Sequence, residues 1–248
     1  MSGKIKPSVY LNTKSKNILQ FFAKENYLLN KTEKVENKNT DSPELTVKKN
    51  TDKHSLRANK QTKPGKKIYE RHTYDLGDGA KFVHILKYVN DPNALFDELK
   101  NKITWRQWEY SVYEKEVKSP RLMNILHFEN TDDNTDLLNL LKIKERVEKL
   151  TKVKFMYAVL NYYRDGNDYV SYHSDRKVKH GQTVVSVTVG ATRRFNLKHR
   201  TDKDKKYTYL LAHGDVLILN DCAIRFAYKH SVPKMTNVGP RINITFRE

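Results

Sequence analysis

Cysteine is almost missing from this 248-residue chain. Cys222 stands alone, so no intrachain disulfide framework is available, which fits a reducing compartment. Long apolar runs are missing too. None approaches the roughly 18 residues needed to cross a bilayer, and the opening "MSGKIKPSVY" lacks the apolar core of a secretory signal. These absences lead us to expect a soluble intracellular protein. Acidic residues are in short supply, 29 Asp and Glu against 47 Lys and Arg, which leaves a formal charge of +18 and a pI near 9.7. A surplus of that size points to a polyanionic partner, nucleic acid first, or to a solubilising tail on a near-neutral domain.

The surplus is uneven. Residues 1–68 carry 16 Lys and Arg against 6 Asp and Glu, which is +10 of the total. Between Lys31 and Lys67 only Val35, Leu45, Val47, Leu56 and Ala58 are apolar, too few to offset the entropy of ordering the segment. We therefore expect residues 1–67 to be a disordered basic tail and 68–248 to be the folded domain, with the Pro64-Gly65 pair marking the loop between them. Such a tail suits nuclear import, non-specific DNA tethering or a spacer. Within it, "KSKNILQFF" sets Ile18 three residues before Phe21 and Phe22, the layout of a one-turn plug for a small apolar pocket. It resembles the motif by which replication and repair proteins bind the sliding clamp PCNA, with Ser15 where that motif has Gln. The plain alternative is a short amphipathic turn packed on its own domain.

Past Ile68 the pattern becomes that of a folded domain. In "DPNALFDELKNKI", Asp91 is placed to cap a helix that starts at Pro92, and Leu95, Phe96, Leu99 and Ile103 form one stripe. A second helix is expected within "NTDLLNLLKIKERVEKL". The period then falls to two in "TVVSVTVG", "RRFNLKH", "KYTYLLA", "DVLILN" and "RINITFR", short β-rich runs divided by turn residues. The expected class is α+β, with a β-sandwich or jelly roll as its body.

Two patterns carry chemistry. In "YHSD", His173 and Asp175 are two apart and share a side if the segment is a strand. A carboxylate and two histidines would leave an iron(II) ion with open positions for a cosubstrate and O2. His230 in "YKHSVPK" is the best third ligand, with His180, His199 and His213 as competitors. In "PRINITFRE", Arg241 and Arg247 are six apart and also share a side. Two inward guanidinium groups call for an anion such as a dicarboxylate, whereas an exposed edge strand would leave both solvated.

The pieces "ITWRQ", "SPRL", "NYYRDGNDYVSYHSD", "SVTVGATRRF", "HSVP" and "PRINITFR", in this order, resemble the AlkB-like Fe(II)/2-oxoglutarate dioxygenases, most closely the branch that repairs alkylated bases. The resemblance runs from about Ile68 to the end. It implies a double-stranded β-helix (a distorted jelly roll) with flanking helices, and iron on His173, Asp175 and His230. It implies 2-oxoglutarate held by Asn161, Tyr163 and Arg241, with Asn243, Thr245 and Arg247 lining the same pocket. The activity it implies is oxidative removal of N-alkyl groups from DNA bases of the 1-methyladenine and 3-methylcytosine type, using O2 and releasing formaldehyde and succinate. The target base must flip out of a duplex or come from a single strand.

The substrate side departs from the family pattern. Arg176 and Lys177 stand where acidic residues usually follow the metal Asp, and Leu126 stands near a usual lid aromatic, with His127 or Phe128 as the available stacking groups. Arg121 of "SPRL" completes the expected substrate contacts. The other readings are an RNA or tRNA demethylase, a protein hydroxylase of the same superfamily, and a non-catalytic clamp-binding adaptor. A nuclear monomer, or a protein at the replication site of a large DNA virus, is the expected setting.

Overall fold

The computed structural model describes residues 68–112, 115–129 and 136–248. The expected tail, with Ile18, Phe21 and Phe22, lies outside the described residues. The order of elements is β1 (Arg71–Asp75), β2 (Lys81–Ile85), α1 (Pro92–Lys102), the hairpin β3 (Glu109–Val112) and β4 (Lys115–Lys118), β5 (Leu122–His127) and α2 (Leu138–Thr151). Then come β6 (Tyr157–Tyr163), β7 (Val170–His173), β8 (Thr183–Gly190), β9 (Arg193–His199), β10 (Lys206–Leu211) and β11 (Val216–Asn220). A π-helical turn (Cys222–Phe226), β12 (Tyr228–Val232) and β13 (Arg241–Arg247) complete the order.

The strands build a seven-stranded sheet, β1-β2-β11-β8-β13-β6-β5, and a four-stranded sheet, β10-β9-β12-β7. All their pairings are antiparallel. Residues from the two sheets share one core: Phe82, Val184, Leu217 and Leu219 of the large sheet meet Phe195, Leu197, Tyr228 and Val232 of the small one. A second core lies on the other face of the large sheet, where Val83, Val185, Ile218, Ile244 and Phe246 meet Leu95 and Leu99 of α1 and Leu140 and Val147 of α2. The body is therefore a double-stranded β-helix with two helices against its large sheet.

Alternation explains how one strand serves both cores. In β13, Ile242, Ile244 and Phe246 are fully buried on the helix side. Arg241, Asn243, Thr245 and Arg247 consequently face the space between the sheets. Helix α1 starts as its sequence dictates: the Asp91 carboxylate accepts from Ala94 N at 2.9 Å and Pro92 occupies the first turn. The start of α2 is capped from outside, with Glu98 of α1 accepting from the backbone N–H groups of Asn139 and Leu140.

Arg193 is a wholly buried arginine that binds two loops together. Its guanidinium donates to the carbonyls of Asp165 and Asp168 in the β6–β7 loop and of Pro233 in the β12–β13 loop, at 2.7–3.0 Å. Gly166 presses the same loops together, because a Cβ there would collide with the Met235 carbonyl. Gly166→Ala should therefore part these loops at a cost of about 1–3 kcal/mol, lowering Tm by roughly 2–10 °C in a domain of this size. An unchanged melting curve would show that the approach is slack.

Candidate active site

Between the sheets lies a cavity of about 250 Å³, smaller than the sites that take drug-sized ligands. His173, Asp175 and His230 meet in its wall, and one ligand atom from each falls within 4.8 Å of the others. Register brings the two histidines together: His173 of β7 is the direct partner of His230 of β12. Asp175 arrives differently from the sequence expectation. β7 ends at His173, so Asp175 lies beyond the strand and owes its place to its own N–H, which donates to Ile224 O of the π-helical turn at 3.1 Å. The competing histidines are elsewhere. His180 lies beside Asp221, His199 beside Asp78, and His213 accepts from Gly190 N.

The donor set fits a metal. His173 Nδ1 is 2.9 Å from Ser171 O, which fixes the proton on that nitrogen and leaves Nε2 free to ligate. The Nε2 atoms of His173 and His230 each lie 3.7 Å from Asp175 Oδ1. Burial pushes the pKa of His230 down to about 4 against the pull of Asp175, keeping the imidazole in its neutral, ligating form. Burial alone would raise the Asp175 carboxyl, but His230, Arg247 and His173 outweigh it and hold the group below the usual range. Arg247 Nη2 donates to the other carboxylate oxygen, Oδ2, at 2.8 Å. One oxygen of Asp175 is thus anchored while the other faces the histidines.

The deeper part of the cavity is cationic. Arg241 is 1% exposed, and its Nη2 donates to Thr188 Oγ1 at 2.9 Å. Among the described residues its Nε and Nη1 have no hydrogen-bond partner, and its guanidinium carbon lies 5.2 Å from the centre of the Tyr163 ring. Desolvation disfavours the charge, so a buried cation with two idle donors is poised for an anion. A dicarboxylate such as 2-oxoglutarate has the matching chemistry, with one end for the arginine and one for the metal.

The remaining expected cosubstrate residues line the same cavity. Pairing of β13 with β6 sets Arg241 opposite Tyr163 and Asn243 opposite Asn161. Asn243 donates to Ser186 Oγ at 2.7 Å and accepts from Thr245 Oγ1 at 3.0 Å, which orients its amide. The expected substrate residues are not gathered in the same way. Arg121 reaches the cavity, where its Nε donates to Asn161 Oδ1 at 2.7 Å, so it meets a cosubstrate-side residue. Arg176 and Lys177 are exposed and do not line the cavity. His127 also lies outside the cavity lining and stacks on Tyr157 with ring centres 5.7 Å apart.

Sequence reasoning missed Ser186, which steadies Asn243, and Arg193, which steadies the loops around the site. The signal for Arg193 was present, because it shares a face with the inward Phe195 and Leu197 of β9.

Residues 18–247 match the sequence profile of the 2OG-Fe(II) oxygenase superfamily. The chain belongs to that superfamily. The cofactors of this oxygenase are accordingly iron(II) and 2-oxoglutarate, with O2 as co-reactant. It is 33% identical over 119 residues to the bovine DNA oxidative demethylase ALKBH2, a match covering 44% of this chain and 42% of the relative. It is 34% identical over 119 residues to the mouse alpha-ketoglutarate-dependent dioxygenase alkB homolog 3, covering 44% and 41%. With the Arabidopsis thaliana ALKBH2 it shares 26% identity over 217 residues, 71% of this chain and 69% of that one. The matched region is thus less than half the length of the two mammalian relatives.

Proposed function

We propose that this oxygenase is an oxidative demethylase of alkylated DNA bases, of the 1-methyladenine and 3-methylcytosine type. The observation that carries the reading is one cavity holding a two-histidine, one-carboxylate set beside a buried arginine with two unpartnered nitrogens. The substrate class comes from the relatives, two of which are named DNA oxidative demethylases.

His173, Asp175 and His230 would hold the metal, and Arg241 and Asn161 the cosubstrate. When bound, iron with 2-oxoglutarate and O2 supplies an oxidant able to take hydrogen from an N-methyl group, after which formaldehyde leaves. The protein's own work is positioning. Arg247 fixes the Asp175 carboxylate, Asn243 is locked by Ser186 and Thr245, and the apolar wall from Phe195, Ile224 and Val232 limits water. The test is to offer the same methylated base in matched DNA and RNA oligonucleotides with iron(II) and 2-oxoglutarate. Faster loss of the methyl group from DNA supports the reading. Equal or faster loss from RNA would move the substrate, and no loss from either would overturn demethylation.

Arg176 and Lys177 suit the phosphates flanking a flipped base better than a cationic lesion, since like charges repel at short range in a partly desolvated site. Changing them together to Asp and Glu should weaken oligonucleotide binding most at low salt. Equal binding at every salt concentration would place them away from the nucleic acid. For the tail, we propose the sliding clamp as the partner of Ile18, Phe21 and Phe22. A peptide of residues 14–24 should bind the clamp and lose binding when both Phe residues become Ala.

A further inference from the structure

The outer face of the four-stranded sheet, turned away from the cavity, carries cations in an order that costs stability. Lys206 of β10 is the direct partner of Lys198 of β9, and Lys198 is the direct partner of Lys229 of β12. Their chain neighbours Tyr207, Leu197, Tyr228 and His230 all turn inward, so alternation sends the three lysines out in one row. Arg194 lies exposed on the same face of β9. Like charges directly opposite one another across strands are destabilising. The four strands contain no Asp or Glu to offset them.

The row lacks the carboxylate neighbours that several other surface lysines have. Elsewhere Lys81, Lys118, Lys144, Lys149 and Lys205 each sit against a carboxylate. Among the described residues, Lys198, Lys206, Lys229 and Arg194 have no acidic partner. Nor is the row simply loose in solvent, because Lys198 holds its ammonium 4.3 Å from the centre of the Tyr172 ring. Tyr172 is 38% exposed and directly precedes His173 in β7. The next row along these strands includes Thr208 and Asn196, whose hydroxyl and amide groups contact phosphate without adding charge.

We propose that this face is a docking surface for the phosphates of a nucleic-acid strand, separate from the catalytic mouth. It rests on the nucleic-acid reading of the site. The lysine row crosses three strands at a spacing of about 5 Å and neutralises successive phosphates. Tyr172, one residue from the metal set, supplies a ring on which a base can stack as the strand leaves the mouth.

The experiment compares the full chain with two triple variants, Lys198, Lys206 and Lys229 all changed to Gln or all changed to Arg. The probe is an unmodified single-stranded DNA oligonucleotide, with binding read by fluorescence anisotropy across a sodium chloride series. The Gln variant should show a shallower slope of log affinity against log salt, by about 2 for three phosphates on a single strand. Its low-salt affinity should fall on the order of tenfold, and the Arg variant should match the wild type. Formaldehyde release from a short methylated oligonucleotide that only fills the mouth should be unchanged. A wild-type slope in the Gln variant overturns the proposal, as does a loss shared by the Arg variant. A loss confined to vesicles containing phosphatidylserine would overturn it in favour of a membrane. If the wild type releases no formaldehyde but the slope still responds, demethylation fails and the docking surface stands.

Discussion

His173→Ala, Asp175→Ala and His230→Ala should each lose iron binding and all measurable turnover while keeping the fold. The metal set touches one end of the inter-sheet core and belongs to neither apolar cluster, so removing one ligand leaves both cores packed. Disturbing only the groups behind a metal's ligands already costs about 10–100-fold, and loss of a ligand from a three-residue set should exceed that. The three variants should still differ in stability. Asp175→Ala strips Arg247 Nη2 of its partner in a guanidinium whose Nε already lacks one, leaving a poorly paired cation. His173, 39% exposed at its side chain, should be the mildest. Iron affinity by anaerobic titration, read beside circular dichroism and Tm, separates a lost ligand from a lost fold. Retained iron affinity in all three variants would mean that the metal lies elsewhere.

Arg241→Ala should raise the concentration of 2-oxoglutarate needed for half-maximal turnover by roughly tenfold to a hundredfold. A hydrogen bond to a charged group contributes about 1.5–3 kcal/mol, and each 1.4 kcal/mol is a factor of ten. Two nitrogens of Arg241 have no hydrogen-bond partner among the described residues. Lysine should not restore binding, because a point charge cannot present the paired donors of a guanidinium. The second half of this prediction is less intuitive. Without cosubstrate the buried cation is a liability, so Arg241→Met should melt at the wild-type temperature or above. A purely structural arginine would behave oppositely, with a large fall in Tm and an unchanged need for 2-oxoglutarate.

What could be read from the chain follows from the physics of alternation. β8 and β11 stand out as apolar-rich runs and β9 and β13 as seven-residue alternations, and β13 shows its two faces openly: isoleucine and phenylalanine to the helices, arginine, asparagine and threonine to the cavity. α1 announces itself through Asp91 and Pro92. The hairpin of β3 and β4 was not visible, because it is short and mostly polar in sequence. The π-helical turn has no local signature either, yet it supplies the carbonyl that positions Asp175. His173 and Asp175 were rightly read as neighbours in space on a strand argument that applies only to His173. The contrast between Arg193 and Arg241 shows where sequence reading stops. Both are buried arginines beside Tyr163. Only the register of distant loops gives Arg193 three carbonyls, while Arg241 keeps two free donors.

The measurement closest to the central claim is the yield of formaldehyde and succinate from an oligonucleotide carrying one 1-methyladenine, with iron(II), 2-oxoglutarate and O2 supplied and Asp175→Ala as the control. The account predicts equal amounts of the two products from the wild type, formaldehyde only when the methyl group is present, and neither product from the control. Succinate without formaldehyde on the methylated strand, or formaldehyde from the Asp175→Ala protein, would contradict it.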